Sequence, residues 1–267
     1  MIPAPKRALA VAAITALASL TACGGSSNSA APSTSASVSA PAAPSAGTIL
    51  TADQVKSLLT ATSANITSVH ETMTIATSAA DITGQADVVK NATGMTMQMT
   101  MNMPQLGELQ ARLVGGGFYI KMNLPQLGGK WIRIDLSNKN SPIGQMLGSL
   151  TSMSPSQMFD QYSGGLAGGT FIGTDSTGDQ YQVNVNTASA IKNLPPSMAG
   201  NPLIAKGMKN LPPSLKLNIW LKNGQLQKMV TDLGVAGTVT VLLSNYGEAV
   251  NVVAPPTSEV TVVPGLG

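Results

Sequence analysis

The sequence contains a single histidine, His70, and a single cysteine, Cys23, in 267 residues. One histidine excludes zinc sites built from several imidazoles, and it excludes a serine-type catalytic triad anywhere else in the chain. His70 lies in a segment of alternating polarity, a setting more typical of a surface or edge residue than of a catalyst. The acidic residues are scattered singly, and Asp175 and Asp179 bracket a turn. We therefore expect no enzyme, no metal site and no cofactor.

Charged and aromatic side chains are also scarce. Only 10% of the residues are charged, where about 25% is usual, and 3% are aromatic. Loss of Lys6 and Arg7 with a signal peptide would leave 13 of the 15 basic residues against 12 acidic ones. No basic cluster remains, so we expect no binding to nucleic acid, which depends on phosphate neutralisation. The chain instead has 14 methionines, whose flexible side chains suit a loose core or a cavity that holds hydrocarbon.

The segment that ends at Cys23 has the pattern of a secretory signal. Lys6 and Arg7 precede an apolar stretch at residues 8–20, which is shorter than the ~20 residues that a membrane span needs. Small residues surround Cys23, as in a bacterial lipoprotein signal, whose thiol is alkylated with diacylglycerol before cleavage. The alternative is a secreted protein with an unpaired thiol. We predict a lipoprotein signal peptide at 1–22 and a lipid anchor at Cys23, on the extracytoplasmic face of the cell membrane.

The next segment is almost entirely Ser, Ala, Pro, Thr, Gly and Asn as far as residue 48. A segment of this composition cannot bury enough apolar surface to offset the entropy of ordering it. We predict that residues 23–48 form the lipidated cysteine and a disordered tether. Residues 49–267 are long enough for one domain with a sizeable core, which we interpret as a lipid-binding domain.

The periodicity of the remaining chain predicts an antiparallel meander with a few helices. Thr51 and Gln54 form a capping box, which predicts a helix over 52–64. Asn223-Gly224 favours a two-residue hairpin turn. The predicted strands are 70–77, 85–90, 95–103, 109–114, 118–122, 130–135, 170–175, 180–186, 215–221, 225–233 and 237–244. Further helices are predicted at 142–150, 155–162 and 187–193.

The predicted strand Met95–Met103 places five methionines on one side and Thr, Gln and Asn on the other. Three interpretations remain open. The strand is an ordinary core strand, or it is a cavity wall that adapts to acyl chains, or its thioethers bind Cu(I). Side chains on one face of a strand are about 6.5–7 Å apart, which disfavours closure of three neighbours on one ion.

Several motifs together resemble a known family. They are the Cys23 segment, the tether, Thr51–Lys56, Gly117–Lys121, Lys130–Asp135, Tyr181–Val183, Ile219–Gly224, Leu243–Val250 and Val253–Pro256. In this order they are similar to the LppX/LprA/LprF/LprG group of actinobacterial lipoproteins. The resemblance implies an α+β fold, a curved antiparallel half-barrel with helices packed on its concave face around an apolar cavity. Members bind multi-acyl lipids or lipoglycans there and carry them across the envelope, some alongside an efflux transporter.

We therefore expect a monomeric, membrane-anchored lipoprotein that carries an acyl lipid or lipoglycan, with an envelope transporter as a candidate partner. The expected cavity lining combines alternate apolar positions of the sheet with helical residues opposite them. These residues are Met95, Met97, Met99, Met101, Met103, Leu109, Ala111, Leu113, Phe118, Ile120, Met122, Ile132, Ile134, Leu217, Ile219, Leu221, Val55, Leu58, Leu59, Met146 and Leu150. The alternatives are an envelope assembly module with a filled core, and a Cu(I)-handling protein.

Overall fold

The computed structural model describes residues 44–63, 66–91, 94–104, 107–123, 128–136, 163–193 and 211–261. These residues form two α-helices, α1 (Ala52–Ser63) and α2 (Thr187–Lys192). Two short 3-10 helices lie at Gly234–Ala236 and Thr257–Glu259. The strands are β1 (Ile49–Leu50), β2 (Ser68–Ala76), β3 (Ile82–Asn91), β4 (Gly94–Met103), β5 (Gly107–Val114), β6 (Gly117–Met122), β7 (Trp131–Asp135), β8 (Leu166–Thr174), β9 (Asp179–Asn186), β10 (Ser214–Lys222), β11 (Gln225–Asp232), β12 (Thr238–Ser244) and β13 (Val260–Thr261).

All of these strands belong to one curved, unclosed sheet. Their order is β1-β8-β9-β10-β11-β12-β2-β3-β4-β5-β6-β7-β13. Every pairing is antiparallel except that of β13 with β7. The strands β2 to β7 pair consecutively, as do β8 to β12, and the pairing of β12 with β2 joins the two groups. The predicted curved antiparallel sheet of an α+β half-barrel is thus confirmed.

The helix α1 begins where its capping box predicts. The Gln54 backbone N–H donates to Thr51 Oγ1 at 3.3 Å, and the Thr51 N–H donates to Gln54 Oε1 at 2.8 Å. This reciprocal pair satisfies two backbone donors that a helix start leaves free. Val55 is fully buried against the sheet, so the first turn fixes α1 over β8 and β11.

The turn between β10 and β11 also follows its sequence signal. Asn223 has a φ of 53° and Gly224 a φ of 74°, the two positive values that a type I′ turn requires. Lys222 and Gln225 pair directly on either side of the turn.

Two strands begin three or more residues before their sequence patterns predict, and both contain glycine. β3 begins at Ile82 and continues through Gly84, which pairs with Met101. β8 begins at Leu166 instead of residue 170 and contains two register shifts, one of which lies between Leu166 and Gly169. Glycine-rich bulges weaken the alternation on which strand prediction depends.

The strands at the two ends of the sheet, β1 and β13, were not predicted. β1 and β13 have two residues each, which is too short for a periodic signal. The predicted helices at 142–150 and 155–162, with Met146 and Leu150, lie outside the described residues, as do the signal segment and Cys23. In the described part of the chain no helix has the length and apolar character to cross a membrane.

Candidate ligand-binding face

The strand register places all sixteen sheet residues of the predicted lining on the same face. Met99 on β4 is opposite Ala86 on β3 and Ala111 on β5, and Ala111 is opposite Ile120 on β6. Ile132 on β7 is opposite Ile120, so it lies on the same side of the sheet. The register of β3, β2, β12 and β11 places Ile219 on β10 on this side as well. We call this side of the sheet the apolar face.

One part of the apolar face, which we call the α1 half, is the surface of β8 to β11 beneath α1. Val55, Val183 and Ile219 have no exposed surface there. Gly169 permits the close approach, since a Cβ at this position would lie 3.2 Å from Val55 Cγ2 and 2.7 Å from the Gln182 carbonyl oxygen. Side chains with no accessible surface do not border a void large enough for water. In this structure, therefore, Val55 and Ile219 belong to a filled core.

The other part, the methionine half, is formed by the apolar-face residues of β4 to β6. Seven of the predicted lining residues there are half-buried: Met95, Met97, Met99, Leu109, Phe118, Ile120 and Met122. Met97 and Met99 border a cavity of about 20 Å³ together with Met73, Val88 and Val241. This space is sufficient for about one water molecule. The methionine half thus retains accessible apolar surface. Met95, Met97, Met99 and Leu109 also pack against the core, and the small cavity is shared with β2, β3 and β12.

The other predicted lining residues that the structure describes are buried or pack against the core. Among them, Met101, Met103, Leu113, Ile134 and Leu221 are buried. Ala111 and Ile132 are also buried. Leu58, Leu59 and Leu217 are half-buried and pack against the core. That any of these residues contacts a lipid stays a prediction.

Glu71 is a charged residue on the apolar face that the lining prediction missed. It lies on β2 between Val69 and Met73 in the same phase, is 7% exposed and borders the 20 Å³ cavity. Burial raises the pKa of the Tyr246 hydroxyl, and the negative charge of Glu71 raises it further. The sequence signal was available, because Glu71 occupies an inward position of an otherwise apolar alternation.

The opposite side of the sheet, the polar face, has a larger cavity of about 270 Å³. His70, Asp87, Gln98 and Arg112 line it, with Trp131 at one end. The expectation that His70 is a surface or edge residue is met at the surface: its side chain is 30% exposed on β2, a strand in the interior of the sheet order. His70 Nδ1 lies 2.7 Å from Asp87 Oδ1. The absence of catalysis stays a prediction.

Neither a protein-family profile nor a curated protein sequence matches the chain. Among solved structures, the lipoprotein LppX of Mycobacterium tuberculosis is similar over 75% of this chain and 97% of its own, at 17% identity and a TM-score of 0.48. A DUF1329 family protein from Desulfovibrio piger matches over 75% and 92%, at 9% identity and a TM-score of 0.31. A putative outer membrane lipoprotein-sorting protein domain from Vibrio parahaemolyticus matches over 69% and 86%, at 11% identity and a TM-score of 0.29.

The first of these structures belongs to the group of lipoproteins that the sequence resembles. At these identities the likeness to all three structures concerns the fold alone.

Proposed function

We propose that the protein is a lipid carrier that binds acyl chains on the methionine half of its apolar face. The observation that supports this proposal is the group of half-buried apolar side chains on β4 to β6, next to a core that is already closed. Each methylene group that leaves water contributes about 0.8 kcal/mol, so even part of one acyl chain gives useful affinity. Methionine side chains adapt to chains of varied shape, so the specificity for the hydrocarbon would be low.

The proposed carrier works at the cell membrane. Cys23 would hold the protein at the extracytoplasmic face of the membrane through a lipid, and the tether to residue 48 would let the domain reach a donor or acceptor bilayer. The cargo would be an acylated lipid or a lipoglycan, transferred across the envelope with or without a transporter. No catalytic step is part of this function.

The test uses the full chain with Cys23→Ser, so that bound acyl mass cannot come from the predicted anchor. The protein is purified from a lipid-containing host and analysed by native mass spectrometry, followed by organic extraction. We expect about one acyl lipid per protein. Protein that is bare, and that also takes up no diacyl or triacyl lipid from vesicles, would contradict lipid carriage.

A matched pair of variants locates the binding surface. Met97 and Thr96 are neighbours on β4, both half-buried, with side chains on opposite faces. Met97→Lys places a charge where the acyl chain would lie, and it should reduce the bound lipid strongly. Thr96→Lys places the same charge on the polar face and should leave the lipid stoichiometry unchanged. Equal losses in both variants would place the lipid elsewhere.

A second candidate function, an envelope assembly module with a filled core, is favoured by one observation. The α1 half contains fully buried residues, and the cavity beside Met97 and Met99 has a volume of only about 20 Å³. A module of this kind would act through its surface on protein partners. It predicts that Met97→Lys lowers the stability of the protein and that the unmodified protein carries no lipid.

A further inference from the structure

The cavity on the polar face is built from side chains that lie directly opposite one another on four adjacent strands. His70 on β2 pairs with Asp87 on β3, Asp87 with Gln98 on β4, and Gln98 with Arg112 on β5. Cross-strand neighbours of this kind have Cβ atoms about 4.5–5.5 Å apart, so their polar groups form a continuous row. A second row beside it contributes Gln85, Thr100 and Gln110.

The acidic group in this cavity is held in a fixed position. Asp87 Oδ1 lies 2.7 Å from His70 Nδ1, and Asp87 Oδ2 accepts a hydrogen bond of 2.8 Å from Gln98 Nε2. Partial burial alone would raise the pKa of Asp87. The hydrogen bonds from Gln98 and His70, together with the positive charge of His70, outweigh that effect and lower the pKa. Asp87 is therefore an ionised acceptor at neutral pH whose orientation does not depend on a ligand.

The basic group is fixed as well. The Arg112 guanidinium lies 4.8 Å from the centre of the Trp131 ring, and Arg112 Nη1 donates to the Val253 carbonyl oxygen at 3.0 Å. Val253 belongs to the C-terminal segment, which Ser68 holds at its start by a hydrogen bond to the Glu248 carbonyl oxygen. Arg112 thus contributes a preorganised donor group at one end of the cavity, and Trp131, 3% exposed, forms a rigid wall.

We infer that this cavity binds a neutral polyhydroxylated group of about one sugar ring. In the lining the Asp87 carboxylate lies between the His70 imidazole and, beyond Gln98, the Arg112 guanidinium, and three amides and a hydroxyl supply both donors and acceptors. A sugar hydroxyl both donates and accepts, so it satisfies such a mixed lining, whereas an anion accepts only and would face the Asp87 carboxylate. The volume of about 270 Å³ is close to the lower end of small-molecule pockets, ~300 Å³. The inference does not depend on lipid binding, because the apolar face is on the other side of the sheet.

The fluorescence of Trp131 gives a direct measurement. The other tryptophan, Trp220, lies on β10 and donates to Asp175, far along the sheet, so Trp220→Phe leaves Trp131 as the sole tryptophan. The full chain with Trp220→Phe is titrated with neutral monosaccharides and with glucuronate. We expect a saturable change with at least one neutral sugar and weaker binding of glucuronate. A flat response confirmed by saturation-transfer NMR would overturn the inference, as would tighter binding of glucuronate.

A matched pair of glutamines tests the position of the site. Gln98 and Gln182 both lie in strand interiors on the polar face, both are half-buried, and both donate across a strand pair, Gln182 to Asn218 Oδ1 at 3.4 Å. Gln98→Leu should weaken sugar binding about tenfold, the effect of losing one good hydrogen bond. Gln182→Leu should change it less than about twofold. Equal effects would place the sugar outside the cavity.

The sugar could be free or the headgroup of a glycolipid, and vesicles distinguish these sources. Binding to vesicles that contain a neutral glycolipid, abolished by competing free sugar and by Gln98→Leu, would identify a headgroup site. Binding of free sugar without binding to such vesicles would identify a soluble ligand. Met97→Lys serves as the control that separates this site from the acyl site, because it should leave the sugar titration unchanged.

Discussion

The α1 half and the methionine half of the apolar face have the same sequence pattern and different packing. Both consist of strands with alternating apolar residues. Ile219 in the α1 half has no exposed surface, whereas Ile120 in the methionine half is half-buried. The α1 half is covered by a helix. α1 packs over β8 with Val55 against Gly169, and the residue that permits this approach is a glycine with no side chain of its own.

This difference shows that alternation defines which face is apolar, but not whether that face is filled. A filled region contributes to folding stability, since truncating a side chain there removes its contacts and leaves a cavity in a close-packed core. A region that retains accessible apolar surface contributes less to stability and offers that surface to a ligand. We therefore expect substitutions in the two halves to separate stability from lipid binding.

The largest expected effect compares the two isoleucines directly. Ile219→Ala removes the same atoms as Ile120→Ala, on the same face of the same sheet. Ile219→Ala should lower the free energy of unfolding by about 2–5 kcal/mol, because it leaves a cavity in a packed core. Ile120→Ala should cost about 1 kcal/mol, since the side chain is only partly removed from water. Urea denaturation followed by circular dichroism measures both.

The same two variants sharpen the comparison when lipid is measured. Ile120→Ala should alter the amount or type of co-purified lipid, and Ile219→Ala should not, provided that it still folds. If Ile120→Ala were as destabilising as Ile219→Ala, the methionine half would be a filled core like the α1 half, and the assembly-module alternative would gain support.

The sequence predicted the apolar face well because that face depends only on local alternation. Every sheet residue expected to line the cavity shares one side, from Met95 on β4 to Leu221 on β10. The meander predicted the consecutive pairs, but not the pairing of β12 with β2, which joins distant parts of the chain. The contact of His70 with Asp87 was missed for a different reason, since it depends on the register between two consecutive strands.

A smaller effect is expected at Tyr246, which packs against the core and whose hydroxyl donates to the Leu226 carbonyl oxygen on β11. Tyr246→Phe removes that bond and leaves the acceptor partly buried, at a cost of about 1 kcal/mol. Burial, and then Glu71, raise the pKa of Tyr246 above its ordinary value of 10.0. A raised pKa means that stability is present below about pH 10 and is lost as the pH rises beyond it.

The loss of stability at alkaline pH should therefore be smaller in Tyr246→Phe than in the unmodified protein. Thermal melts from pH 8 to the alkaline limit of folding compare the two slopes. Parallel curves would mean that Tyr246 does not link stability to pH. Burial, and then the negative charge of Asp179, raise the pKa of Tyr181 as well, so Tyr181→Phe should also weaken the alkaline loss of stability, without removing a hydrogen bond to any residue that the structure describes.

The stability of the protein at acidic pH depends on carboxyl groups in both groups of strands. Asp87 on β3 and Asp175 at the β8–β9 turn both have a lowered pKa. In Asp87 hydrogen bonds overcome the opposing effect of burial, and in Asp175 the hydrogen bond from the Trp220 indole N–H is the main cause. A lowered pKa gives stability that is present above the ordinary value of about 3.8 and is lost as the pH falls through the lowered one. Asp87→Asn should reduce the acid-induced loss of stability more than Asp175→Asn does, because Asp175 is exposed to solvent and its charge is screened.

The smallest expected effect is that of replacing Met97 and Met99 together by leucine. The exchange nearly conserves volume and apolarity, so each substitution should change stability by less than about 1.5 kcal/mol, and lipid should still co-purify at the same stoichiometry. Leucine has no thioether, so a Cu(I) site on this strand would be lost. Native mass spectrometry after extraction measures the lipid, and a competition assay with a Cu(I) chelator measures the metal. Retained lipid with no change in copper affinity would support the acyl-binding interpretation of the methionine half. Loss of copper binding with no lipid in either protein would instead make the thioethers themselves the functional groups.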